Sequence, residues 1–353
     1  MHAMNRIYKN RIICIIAALG AFLFLTAQYS SSFPSEPIGI DLHPYSFPTE
    51  LQIRQRIGIF YLSENRLAVF FNYKRPVSDP GSEPFQLIVL DTRGQVLAQR
   101  EIMTDPKALD ITAGPNGGLL FGHSGQLAFF DANLQLLKTV PLRDSITGIS
   151  FNRRLNQLVE MTIDDASQTR SAHFLDGDTL EENRSLTYPL KSSPHFGDRQ
   201  LAYTLAGNCF GAARVVSSKE DDWAFLNDLP ACAFLTFIGN DEIAYAFDQR
   251  LYVVDRSGKQ IMKARIPVPG SFVSPMFIGI SDNYQRLAIR ALKKNIFAPV
   301  RSWPPEIFVY DLTTKRRIFD HTLPVGSWAS AISPDGHQLA VIEKGILKLI
   351  AIP

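Results

Sequence analysis

The sequence predicts an all-β chain, a seven-bladed β-propeller whose last blade is completed by a strand from near the N-terminus. Two recurring strand signatures and the place where the chain stops predict it. The first signature is a short apolar strand ending in Asp, as in Leu87-Ile88-Val89-Leu90-Asp91 and Ile307-Phe308-Val309-Tyr310-Asp311; it recurs at 127–131, 172–176 and 251–255. A polar turn follows each Asp, such as Thr92-Arg93-Gly94 or Arg256-Ser257-Gly258, and leads into another extended segment. Asp suits that position because its carboxylate accepts backbone N–H bonds two residues on, and two strands joined by such a turn read as a hairpin.

The second signature is a small apolar dipeptide upstream of each Asp strand. It stands at Leu67-Ala68, Leu119-Leu120, Leu158-Val159, Leu201-Ala202, Ile243-Ala244, Leu287-Ala288 and Leu339-Ala340, at intervals of 39 to 52 residues. A polar turn and a further apolar strand precede it, as in Phe234-Leu235-Thr236-Phe237-Ile238. The repeating unit is therefore strand a, turn, strand b, loop, strand c ending in Asp, turn, strand d. Four antiparallel strands per 40–45 residues is the period of a propeller blade. The fourth unit lacks the Asp-marked turn near Val215-Val216-Ser217 and is degenerate. The seventh stops three residues after Leu347-Lys348-Leu349-Ile350, so it has no strand d. A bare edge there is a liability that closed repeat folds avoid, and a segment near His43–Ile53 is expected to cover it.

Ahead of the propeller, expected over 46–353, lie a leader at 1–27 and a linker at 28–45. The leader carries Arg6, Lys9 and Arg11, then an apolar run from Ile12 to Ala27, then Gln28-Tyr29-Ser30-Ser31-Ser32. That order matches a secretory signal peptide, with Leu25-Thr26-Ala27 as an acceptable cleavage site. The same segment, 12–27, also fits an uncleaved signal anchor with its N-terminus held in the cytoplasm. Either way the chain is expected to be exported, to a periplasmic or extracellular location. The formal charge is +2 for the whole chain and −1 without the leader. A nearly neutral body has no global field to draw in nucleic acid. Charged residues at 20% and hydrophobic residues at 46% describe a globular rather than a disordered chain.

Ile332-Ser333-Pro334-Asp335-Gly336-His337-Gln338-Leu339-Ala340 and Ile307-Phe308-Val309-Tyr310-Asp311-Leu312-Thr313-Thr314 resemble the repeats of bacterial WD40-like and YVTN-type β-propellers. The resemblance covers about 46–353. The Trp-Asp dipeptide and Gly-His pair of true WD40 repeats are absent from those positions, so the likeness is to the broad superfamily. It implies a fold, and propellers host many unrelated activities.

In such a blade the b–c loop and the d-to-a connection emerge on one face, and the a–b and c–d turns on the other. We refer to these as the loop face and the turn face. Three b–c loops read as long: 74–84, 164–170 and 293–305. The third combines Lys293, Lys294 and Arg301 with Phe297 and Trp303, the residue types that dominate interaction hot spots; its alternative is a loop folded on the rim with Trp303 packed for structure. Cys209 and Cys232 are the only cysteines outside the leader. Both are expected on the loop face, where an oxidising compartment would let them pair as a disulfide; two separate buried thiols are the alternative.

The seven histidines form no metal-ligand spacing. His173 alternates with apolar neighbours and reads as a sheet residue, and Asp164-Asp165 reads as a solvated turn. No nucleophile elbow, phosphate loop or dinucleotide fingerprint is present. Asn183-Arg184-Ser185 is a formal glycosylation sequon. The pattern points to a monomeric, non-catalytic scaffold in the cell envelope that binds a protein or small ligand on its loop face. It implies no cofactor and no metal, and membrane contact only through an uncleaved leader. A propeller-type enzyme, of the lactonase or quinone-dependent dehydrogenase class, is the alternative; it would need acidic or His groups from several blades converging at the central channel. A surface sensor held by the leader is a third reading.

Overall fold

The computed structural model describes residues 36–48, 56–72, 83–104, 110–123, 125–190, 192–196, 201–205, 213–216, 234–239, 241–247, 249–267, 276–292, 304–325, 327 and 329–353. Antiparallel sheets follow one another along the chain. The first blade is Ile57–Ser63, Arg66–Asn72, Glu83–Asp91 and Val96–Thr104, and the second is Asp110–Ala113, Leu119–His123, Gln126–Phe130 and Leu136–Pro141. The third is Ile146–Asn152, Gln157–Asp164, Thr169–Asp176 and Glu182–Pro189. A three-stranded sheet comes next, Ser192–Phe196, Leu201–Leu205 and Ala213–Val216. The fifth blade is Phe234–Ile238, Glu242–Phe247, Arg250–Asp255 and Gln260–Arg265; the sixth is Met276–Ile280, Arg286–Leu292, Pro305–Asp311 and Arg316–Thr322. The last is Ser330–Ile332, Gln338–Glu343 and Ile346–Ala351, with Ile38–Asp41 as its outer strand. The innermost strands of the first and last blades meet and close the ring.

Three sequence expectations are corrected. The fold is an all-β propeller, but the expected seven blades are not borne out. Six blades are complete, and the sheet spanning 192–216 has three strands among the described residues, at the unit whose Asp-marked turn is missing. The closing strand is Ile38–Asp41, inside the stretch read as linker, rather than His43–Ile53. His43–Tyr45 is a single 3₁₀ turn with Pro44 in it, and Ser46 behind it is left-handed (φ 69°). A proline there has no N–H to give a ladder, so pairing stops at Asp41. The loop expected at 164–170 is a four-residue turn between two eight-residue strands. Asp164 closes it by accepting from the N–H groups of Ala166 (3.0 Å) and Ser167 (3.3 Å).

The dipeptide signature has a packing origin. Successive strand residues point to opposite faces, so each dipeptide serves two interblade layers. Leu67 packs against the last blade with Ala340 and Leu347, whereas Ala68 faces the second blade with Leu119 and Phe121. Leu287 and Ala288 divide in the same way between the fifth and seventh blades. The core is thus a circle of apolar layers, and a blade is covered only when it has neighbours on both sides.

Three of the Asp turns share one geometry. Asp91 accepts from the N–H of Arg93 (3.0 Å) and Gln95 (2.8 Å), and Asp131 and Asp255 repeat the pattern two and four residues on. In these a left-handed residue closes the turn, Gly94, Leu134 and Gly258, and a register shift follows in the c–d ladder, the hairpin of a type I turn with a following bulge. Asp176 and Asp311 instead accept from the N–H three residues on, Thr179 (2.9 Å) and Thr314 (2.6 Å), and their left-handed residues, Leu180 and Lys315, come one position later.

The seam is built around Leu42, which is fully buried and donates its N–H to the carbonyl of Gly345 at 2.9 Å. Gly345 has φ +82°, and the His43 ring occupies the space a Cβ would take. Leu42→Ala is expected to cost about 2–5 kcal/mol, as is Leu347→Ala across the seam, both measured by chemical denaturation. The turns give an acid-side dependence. Backbone N–H bonds from Thr179 and Asp178 hold Asp176 below its ordinary value of 3.8, and the Ser257 hydroxyl and the Lys259 N–H do the same for Asp255. A depressed folded pKa stabilises above the unfolded value and is lost as pH falls through the folded one. The urea midpoint is therefore expected to decline progressively below the ordinary carboxylate range, and less steeply in the Asp176→Asn, Asp255→Asn double variant.

Candidate functional site at the central channel and the loop face

The inner strands surround a cavity of about 520 Å³ at the turn-face end of the central channel. Its lining is mixed: Ile59, Ala113, Phe237, Ile278 and Ala331 are apolar, and Thr112, Asn152, Gln157 and Thr236 are polar. The charged lining residues come from two a–b turns, Asn152 to Asn156 in the third blade and Ser281 to Gln285 in the sixth. In the first, the Asn152 side chain accepts the Leu155 N–H at 3.3 Å and Asn156 is left-handed, which makes Arg153–Leu155 a 3₁₀ turn. Gly177 donates to the Asn156 carbonyl at 2.7 Å, an approach so close that a Cβ on Gly177 would collide with the Asn156 side chain.

That turn aims two arginines across the channel. The Arg153 Nη2 donates to Asp282 Oδ1 at 2.9 Å and Oδ2 at 2.8 Å, its Nε reaches Oδ2 at 3.2 Å, and its Nη1 donates to the Tyr61 carbonyl at 3.0 Å. Asp282 is held by its own N–H, which donates to the Pro334 carbonyl at 2.7 Å. The Arg154 guanidinium lies 4.7 Å from the centre of the Tyr284 ring. Burial pushes the Tyr284 hydroxyl up, with Arg154 opposing it. The Tyr61 hydroxyl, pushed up by burial, donates to Gln338 Oε1 at 3.0 Å, and Gln338 in turn donates to the Thr92 carbonyl at 3.3 Å. One arginine thereby ties the first, third and sixth blades, and Asp282 adds the seventh. Acid and base are spent on each other, so the arrangement braces the channel. Among the described residues no three His, Cys, Asp or Glu side chains gather as a metal site.

Sequence reasoning did not find this brace. Its trace is Arg153-Arg154 at the end of an inner strand, where the neighbouring blades offer short polar turns. Lys293, Lys294, Phe297, Arg301 and Trp303 lie outside the described residues, as do Cys209, Cys232 and the leader. The strands that bear the 293–303 loop, Arg286–Leu292 and Pro305–Asp311, end on the loop face. Three large apolar side chains stand exposed on that face of consecutive blades: Phe247, Met276 and Val325. A buried carboxylate joins the sixth and seventh blades. Glu343 receives His321 Nε2 at 2.9 Å and also contacts Lys348 Nζ. Burial raises its pKa, but the bonds from Lys348 and His321 outweigh this and leave it below the ordinary value.

No protein-family model matches the chain, and no curated protein matches its sequence. Solved structures do match in fold. The WD40 domain of Neurospora crassa Pan2 is similar with a TM-score of 0.53 at 11% identity, over 89% of this chain and 94% of that one. A chain in the crystal structure of a mitotic checkpoint complex is similar with a TM-score of 0.50 at 14% identity, over 92% of this chain and 96% of that one. Geometry and likeness together define the class: the chain is a β-propeller.

The brace is testable through its coupling. Arg153→Met and Asp282→Asn are each expected to lower stability, and the double variant to fall short of their sum by roughly 1 kcal/mol, since both side chains are partly solvated. Urea denaturation of the four proteins measures it.

Proposed function

We propose that the chain is an exported binding scaffold of the cell envelope, a propeller of the bacterial WD40-like and YVTN-type kind. On this reading it works as a monomer and engages a protein partner or ligand through the loop face of its fifth to seventh blades. The observation that carries the reading is the division between the two faces. Among the described residues, Arg153 and Asp282 of the channel lining are paired with each other and Arg154 lies against Tyr284, while Phe247, Met276 and Val325 stand exposed on the loop face. Exposed apolar and aromatic groups on a rigid frame are where binding concentrates. A lactonase or dehydrogenase would need converging acids or histidines in the channel; among the described residues the cavity lining holds one acid, Asp282, and it is paired with Arg153. Export rests on the leader alone, and a Cys209–Cys232 disulfide belongs to the same proposal.

Affinity capture from the native envelope fraction tests it. Wild type is expected to recover a partner that is depleted at least tenfold by Trp303→Ala with Arg301→Ala, and by Met276→Asp. Equal recovery would reject the chosen face. Intact mass under non-reducing conditions is expected to be lower than the full chain by residues 1–27 and by the two hydrogens of one disulfide; a full-length mass would mean a retained leader.

A further inference from the structure

Equivalent positions of the inner strands form a tier around the channel. In each complete blade one inner-strand residue stands directly across the a–b ladder from the second member of the dipeptide. These residues are Phe60, Thr112, Ser150, Thr236, Gly279 and Ala331. All six border the cavity of about 520 Å³. The tier is two-sided. Thr112, Ser150 and Thr236 supply hydroxyls on an arc that runs from the second blade to the fifth. Gly279, Ala331 and Phe60 make the arc from the sixth blade to the first small and apolar, with one aromatic ring.

Gln157 stands nearer the turn face, opposite Asn152 in the third blade. It lines the same cavity, and its Oε1 is buried without a hydrogen-bond partner. A buried acceptor left unpaired is costly, and an O–H or N–H group brought by a ligand relieves it. The charged part of the lining is already engaged: Arg153 and Asp282 hold each other, and Arg154 lies against Tyr284. An anion would have to compete with Asp282 for Arg153. A wholly apolar ligand would strip water from three hydroxyls and an amide and give nothing back. Hydroxyls both donate and accept, so the polar arc suits a ligand that does the same. A pyranose ring matches both arcs. Its edge carries hydroxyls, and its C–H face suits an aromatic ring, whose π face is negative. The cavity volume falls within the range of about 300–1,000 Å³ usual for small-molecule sites.

We propose that the central channel binds a neutral mono- or disaccharide. The sugar's hydroxyls exchange hydrogen bonds with Thr112, Ser150, Thr236 and Gln157, and its C–H face lies toward Phe60 and the small residues beside it. The Arg153–Asp282 pair keeps that end of the channel in shape without contributing a net charge to recognition. The site is separate from the loop face of the fifth to seventh blades, so it stands or falls independently of the scaffold reading.

Calorimetric titration of the full chain with D-glucose, D-galactose and maltose tests it. At least one of these is expected to bind saturably, one molecule per chain, with an affinity that added salt leaves unchanged. D-Glucuronate, the glucose ring with a carboxylate, is expected to bind no more tightly than glucose. Thr112→Val with Thr236→Val keeps the shape of both side chains and removes their hydroxyls; it should weaken binding on the order of tenfold. Ala331→Leu should block it by filling the apolar arc, and Met276→Asp, on the loop face, should leave it unchanged. Urea midpoints identify any variant that does not fold, and Ser150→Ala then supplies the hydroxyl deletion. Saturation by none of the three sugars, tighter binding of glucuronate, or binding unaltered in the folded hydroxyl variants overturns the proposal.

Discussion

Burial between neighbouring blades governs this structure. Among the described residues the complete blades are apolar on both sides, so an isolated blade would expose two broad hydrophobic surfaces, and one at the end of an open row would still expose one. Only a circle leaves none. The circle closes where Ile38–Asp41 pairs with Ile346–Ala351, joining parts of the chain some three hundred residues apart. The layer behind that seam mixes Leu42 and Phe47 with residues of the first and last blades. Stability is therefore shared around the ring, and damage at the seam is felt as a core defect although the strand itself is short and largely exposed.

A circle of packed sheets leaves a hole on its axis, and the inner strands must end somewhere near it. Here the turn-face end of that hole is crossed by Arg153, whose planar fork matches the Asp282 carboxylate on the far side. Arg154 rests on Tyr284 in parallel with it. Long, forked, charged side chains can reach across and still satisfy their donors. The consequence for function is that the channel is stiffened at one end, and that the face free to vary is the one bearing the b–c loops.

Variation on the loop face is visible in strand length. Strand extension in the third blade lifts a polar sheet face above its neighbour, because two eight-residue strands stand beside two five-residue ones. It leaves half-buried side chains that a neighbour of equal height would cover, among them Thr162 and His173. The apolar layer around Leu158 and Leu175 ends below them.

The blade repeat was legible in the amino-acid sequence because its causes are local. An Asp capping a tight turn, and a large-small dipeptide facing two neighbours at once, need only a few adjacent residues to be recognised. The degenerate fourth unit was legible in the same way, from its missing turn. The need for a closing strand was also legible, but its location was not. Ile38-Gly39-Ile40-Asp41 is an outer strand with little burial, so it carries no two-sided apolar pattern, and its partner lies at the opposite end of the chain. The Arg153–Asp282 brace was out of reach for a related reason. It joins residues 129 apart in the sequence. Local chemistry wrote the strands and turns, whereas ring closure and relative strand length, which exist only between blades, decided which side chains meet.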